Sequence, residues 1–195
     1  MIVVDDANRG PVRRAKDGRS WRIGGGVEVA WIAGGTAPGL AVTSAIPPVF
    51  DAYATIVVPD GGNVRNESDR IVLAVLRDAS AVQPWWLGYL DTGADDVVFP
   101  DTPMVTLYTG WRYVLVEAGP DQAAEWKDRL SWRGVLPDVI FPADRSWLIS
   151  TLWDDDWRCV GGTVELVERL QSDARLDVRI IGIGEDATPP GHQAR

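Results

Sequence analysis

The segment from Phe141 to Ile181 constrains the fold of this chain more than any other. It reads as a strand, an acidic loop, a glycine pair, a helix and a second strand. In Trp147–Trp153 the residues Trp147, Ile149, Thr151 and Trp153 face one way, and Leu148, Ser150 and Leu152 the other, as a strand requires. Gly162 or Thr163 starts a helix over Val164–Gln171, with Val164, Leu166, Val167 and Leu170 on its inner side. Asp177–Ile183 is the closing strand. The segment also holds three of the ten tryptophans, three consecutive aspartates and the single cysteine, Cys159.

Glycine and proline divide the rest of the chain into short pieces. Val27–Ala33 is rich in Val, Ile and Trp and reads as a strand buried on both faces. The turn cluster Gly34–Gly39 separates it from a second strand candidate, Leu40–Ile46, which Pro47-Pro48 stops. Ala52–Val58 is a third strand, closed by Pro59-Asp60-Gly61-Gly62. Apolar residues at 71, 72, 75, 76 and 79 give Glu67–Ala79 helical spacing, with Asn66 or Ser68 as candidate caps. Its β-branched content keeps a strand as the alternative. Short strands follow at Trp85–Leu90, Asp96–Phe99, Met104–Tyr108 and Trp111–Glu117, the last two joined by a tight hairpin. Asp121–Leu130, after Pro120, suits a helix packing Ala124, Trp126 and Leu130. This order predicts an α+β fold: a mainly antiparallel twisted sheet with two or three packed helices. Residues 1–22 read as a flexible arm, 23–184 as one domain and 185–195 as a disordered tail.

Composition removes several function classes. A formal charge of −9 is the wrong sign for phosphate backbones, so no nucleic-acid partner is expected. The lone His192 lies in the expected tail, which leaves no ordered histidine for a triad or a zinc site. No cofactor and no metal are expected. No apolar run is long enough to span a membrane, and Met1–Gly10 has neither the basic start nor the apolar core of a secretion signal. The expected compartment is the cytoplasm.

Eight residues stand out as candidate ligand contacts: Trp85, Trp86, Asp144, Arg145, Trp147, Asp154, Asp155 and Asp156. The aspartate run sits at a strand end, where loops carry sites. Consecutive side chains diverge, however, and the spacing is not that of a calcium loop, so a solvated turn explains it more simply. Arg145 offers a guanidinium fork to an anion, although a structural pair with Asp144 accounts for both residues. Trp85 and Trp86 point to opposite faces of their strand, which predicts one in the core and one on the outer face as an anchor. Cys159, in a short apolar stretch, reads as buried and inert.

The residues Asp144-Arg145-Ser146-Trp147, Cys159-Val160-Gly161-Gly162, Leu166-Val167 and Asp173-Ala174-Arg175-Leu176 form a pattern. It resembles the closing segment of a family of uncharacterised actinobacterial proteins. Ile46–Ala54, Trp85–Gly93 and Arg112–Pro120 are similar to earlier parts of that family, more loosely. The chain departs from the family at Val58-Pro59, where a His-Pro is common, and at Cys159, where an aromatic residue is common. The resemblance implies a single α+β domain and points to no particular activity.

Three functions fit these observations. The first is a small cytosolic binding protein of an immunity-like or regulatory kind, whose acidic surface suits a basic protein partner. It predicts an exposed aromatic patch rimmed by carboxylates. The second is a carboxylate-based hydrolase or transferase with Asp144, Arg145 and the aspartate loop around one cleft. The third is a small-molecule sensor in which tryptophan stacks on the ligand. The lack of an ordered histidine favours a non-enzyme.

Overall fold

The computed structural model describes residues 12–14, 20–80, 82–92, 102–125, 135–152 and 155–193. Among these residues ten strands form one sheet. They are β1 (Val12–Arg14), β2 (Ser20–Ile23), β3 (Ala52–Val57), β4 (Trp85–Leu90), β5 (Val105–Leu107), β6 (Trp111–Ala118), β7 (Val139–Pro142), β8 (Leu148–Ser150), β9 (Trp157–Gly162) and β10 (Val178–Ile181). Four helices accompany them: α1 (Gly26–Ala33), α2 (Gly62–Ser80), α3 (Pro120–Glu125) and α4 (Val164–Ser172). The spatial order is β1-β2-β6-β4-β7-β8-β9-β3-β10, and each neighbouring pair is antiparallel. β4 lies along one edge of β6, so β5 and β2 share the other edge end to end. The fold is α+β with an antiparallel sheet, as the order of apolar segments predicts. No described helix is long and apolar enough to cross a membrane.

Both faces of the sheet are covered. On one, Ile71, Val72, Leu73 and Leu76 of α2 and Leu166 and Leu170 of α4 pack on Ile56, Leu87, Ile140, Ile149 and Val160. On the other, Val29 and Ile32 of α1, with Val42, Ala45 and Ile46, pack on Tyr53, Trp86, Leu115, Phe141 and Trp157. The α4 side is set locally, because Thr163 Oγ accepts a hydrogen bond from the Leu166 N–H at 3.2 Å. Such a cap contributes about 1 kcal/mol.

Several boundaries differ from the expected ones. Val27–Ala33 is the helix α1 rather than a strand. Its start is fixed by the Glu28 carboxylate, which accepts the Gly25 N–H at 2.8 Å, and Val29 and Ile32 lie one turn apart on its buried side. Two glycine clusters bound it, and these local contacts outweigh its β-branched content. Leu40–Ile46 is not a strand either. Val42–Ser44 forms a 3-10 turn that buries Val42, Ala45 and Ile46, leaving a bridge between Ala41 and Asp186. Asn66 and Ser68 do not cap α2, which begins four to six residues earlier and buries both. Trp147–Trp153 narrows to β8, and its faces alternate as expected: Trp147 and Ile149 on the α2 side, Leu148 and Leu152 on the other. Asp96–Phe99, residues 126–130, Trp153 and most of the expected arm lie outside the described residues.

Two strands were hidden in the sequence. β7 ends in proline, and β9 (WRCVGG) neither alternates nor looks apolar at its end, yet all six of its residues are buried. A side chain at Gly161 would collide with Phe50 and Ile46, and one at Gly162 with Leu166. The glycine pair lets both layers press onto the middle of the sheet.

Buried under α2 is an ion pair. Arg158 Nη2 of β9 lies 2.5 Å from Asp69 Oδ1 of α2, with the two side chains 5% and 0% exposed. The second Asp69 oxygen accepts the Val135 and Leu136 N–H groups at 2.7 and 3.2 Å. One carboxylate thus ties a helix, a strand and the segment entering β7.

Candidate functional site

The structure separates the residues singled out from the sequence. Trp85 and Trp147 meet edge to face in the α2 layer, with ring centroids 5.0 Å apart. Their indole N–H groups donate to Ser80 O and Ser80 Oγ at 3.2 and 3.0 Å. Trp86 points to the opposite face as predicted, but that face is covered as well. The ring is 7% exposed, with the Arg22 guanidinium 5.2 Å from its centre. None of the three is an exposed anchor, because a sheet covered on both sides has no outer face there.

Asp144 and Arg145 occupy the tight turn between β7 and β8. Asp144 exchanges two hydrogen bonds with the Gln83 amide, at 2.6 and 2.9 Å, and accepts the Ser146 N–H at 2.9 Å. Slight burial pushes its carboxyl up, but the bonds from Gln83 and Ser146 together outweigh this and hold it below the usual value. Arg145 adopts φ +59° and sets its guanidinium 5.6 Å from the Trp31 ring centre. This pair lies at one end of β8, and the aspartate loop lies at the other.

Within that loop Asp154 is outside the described residues. Asp155 and Asp156 diverge. Asp156 Oδ1 is 2.8 Å from His192 Nδ1, and the imidazole stands edge-on to Trp157 with centroids 6.4 Å apart. The segment read as a free tail therefore returns to the sheet. Ala187 is buried and donates its N–H to Leu40 O at 2.7 Å. Asp155 instead faces a recess of about 140 Å³, bounded also by Leu40, Ser44, Trp111, Leu152, Trp157, Cys159, Ala187 and Thr188.

Cys159 lines the recess and belongs to a row of small polar groups on its face of the sheet. Thr55, Cys159 and Ser150 are cross-strand neighbours on β3, β9 and β8, so they share one face. The Tyr108 hydroxyl reaches this row, 2.6 Å from Ser150 Oγ, and donates to Ala45 O at 3.2 Å. Tyr108 is held at φ +51° in the turn between β5 and β6, a strained conformation for an aromatic residue. Burial, then the nearby Asp155 charge, push the Cys159 thiol up to about 12, and a hydrogen bond with Trp157 offsets part of this. Burial likewise raises the Tyr108 hydroxyl well above its usual range. At neutral pH the Cys159 thiol in the recess is therefore uncharged and a weak nucleophile. Among the described residues no group of three or more His, Cys, Asp or Glu side chains is placed to hold a metal ion.

A measurable consequence concerns Cys159. Iodoacetamide at pH 8 should leave the native protein unmodified and alkylate it rapidly in urea. The raised thiol pKa also sets a sign. The folded state holds this proton more tightly than the unfolded one, so its contribution to stability is complete below about 9 and is lost between about 9 and about 12. Equilibrium unfolding across that alkaline range should show a decline that Cys159→Ala lacks.

Sequence reasoning singled out Asp155 but not Trp111, Trp157, Leu152, Ala187 or Thr188 as lining residues. Those residues come from β6, the segment after β8, β9 and the C-terminal segment, and pairings remote in sequence bring them together. Comparisons with known protein families, characterised proteins and solved structures find no match.

Proposed function

We propose that this chain is a small binding protein, working in the cytoplasm, whose ligand sits in the recess above Cys159. The recess itself carries this reading: two tryptophans, one carboxylate and a neutral thiol and hydroxyls around about 140 Å³. A cavity of about 150 Å³ is known to take a ligand the size of benzene. The walls offer apolar contact and a few polar groups for orientation, the usual composition of a ligand site. No lining group suits general acid–base work near neutral pH beyond an aspartate, so the site favours binding over reaction.

The alternatives lose their geometric support. A carboxylate enzyme would need Asp144, Arg145 and the aspartate loop around one cleft, but they stand at opposite ends of β8. A basic protein partner would be met by an exposed aromatic patch. Among the described residues, the large exposed apolar side chains are valines, isoleucines and one leucine. Trp111 and Trp157 also provide the test. A library of small metabolites should contain members that shift or quench tryptophan emission in the wild type, with the change reduced in Trp111→Phe. A library that leaves emission and thermal stability untouched would refute a ligand site.

A further inference from the structure

The sheet ends at β10, and the outer edge of that strand carries unpaired backbone groups. The Val57 N–H donates to Asp177 O at 3.0 Å, so these two residues form a hydrogen-bonded cross-strand pair. Such pairs alternate along an antiparallel ladder, which turns the backbone groups of Arg179 and Ile181 toward Thr55 and Tyr53 of β3. The N–H and C=O groups of Val178 and Ile180 therefore point away from β3. Among the described residues no strand lies there to receive them. Ile180 is 43% exposed, and it shares one face of the strand with the half-buried Val178. A free edge of this kind is a template for another strand.

Charge selects which strand fits. Asp177 and Arg179 share the other face, and Asp177 is exposed. Among the described residues neither is in an ion pair, and the Arg179 guanidinium donates to the backbone oxygen of Asp186. Two identical strands can meet antiparallel in three registers. Centred on Arg179, the pairing opposes two guanidinium groups, and like charges directly opposite destabilise a sheet. Centred on Ile180, it needs the Gly182 N–H, which already donates to Glu185 Oε2 at 2.8 Å. Centred on Val178, it sets Asp177 of each copy opposite Arg179 of the other, in the pair type where side chains stand closest.

We infer that β10 pairs with β10 of a second copy of this chain, antiparallel and centred on Val178. The two Val178 residues exchange both backbone hydrogen bonds, and each Ile180 packs diagonally on the other copy's Val178. The result is an isologous dimer with one sheet running through both molecules. The contact is one short strand per copy, which makes the association weak and reversible.

Sedimentation equilibrium of the full-length protein from about 10 µM to about 1 mM tests this. The expected result is a monomer–dimer equilibrium within that range. Asp177→Arg and Arg179→Asp should each weaken the dimer about tenfold or more, because both cross-strand pairs become repulsive. The double exchange, Asp177→Arg with Arg179→Asp, should restore it. Amide exchange reads the same edge without substitution: the Val178 and Ile180 N–H groups should exchange more slowly as concentration rises. A wild type that stays monomeric at about 1 mM overturns the proposal. So does a dimer that either folded single variant keeps at full strength, or one that leaves exchange at Val178 and Ile180 unchanged.

Discussion

Replacing Asp69 with alanine should lower the unfolding free energy by about 4 kcal/mol, the cost of leaving a buried charge without its partner. Arg158 is 4% exposed, and its Nε and Nη1 already lack an acceptor among the described residues. Asp69 supplies its ionic contact at 2.5 Å. The alanine variant would also orphan the Val135 and Leu136 N–H groups, whose acceptor is the same carboxylate. Against a typical total of about 5–15 kcal/mol, this removes between about a quarter and four fifths of the stability. Urea titration followed by circular dichroism measures the loss. The double change Asp69→Leu with Arg158→Met should recover most of it, because apolar replacement removes the stranded charge. A loss below about 1 kcal/mol for the single variant would show that water reaches the guanidinium.

The second large effect is expected at Trp147. Its ring is 1% exposed and meets Trp85 edge to face in the α2 layer. Trp147→Ala should cost about 4 kcal/mol, combining lost burial with the cavity left behind. For a chain of this length that corresponds to roughly 8–16 °C in Tm. Trp147→Phe should cost less, since it retains ring contact with Trp85 and gives up the hydrogen bond to Ser80 Oγ. Differential scanning calorimetry separates the two. Neither variant should change ligand binding in the recess, which lies on the other face of the sheet.

The periodic segments were the legible part of this fold. α2 and α4 show helical spacing, and β3, β4 and β6 sit between clear turn signals. Alternation also placed Trp111, Tyr113 and Leu115 of β6 together, and set Trp147 and Ile149 opposite Leu148 and Leu152. What escaped reading were elements whose conformation depends on distant contacts. α1 has the composition of a strand and becomes a helix because Glu28 closes its first turn and Phe50 and Phe141 receive Trp31. β9 carries an arginine and two glycines, and only its place between β8 and β3, with a layer on each face, explains them. The site was less legible still. Asp155 was visible as one of three aspartates, and nothing local distinguished it from Asp156. Tyr108 reaches Ser150 through a strained turn, and His192 reaches Asp156 through a segment that its composition marks as a tail.

The floor and the roof of the recess differ in how they are held, and this bears on how a ligand is accommodated. β9 is hydrogen-bonded on both edges and packed on both faces, so the Cys159 side of the recess is a rigid wall. The opposite side is made by the segments around Leu40 and Ala187, joined by the Ala187-to-Leu40 hydrogen bond and the Ala41–Asp186 bridge. If the recess takes a ligand as proposed, the side made by these two segments is the one that can adjust around it without deforming the sheet.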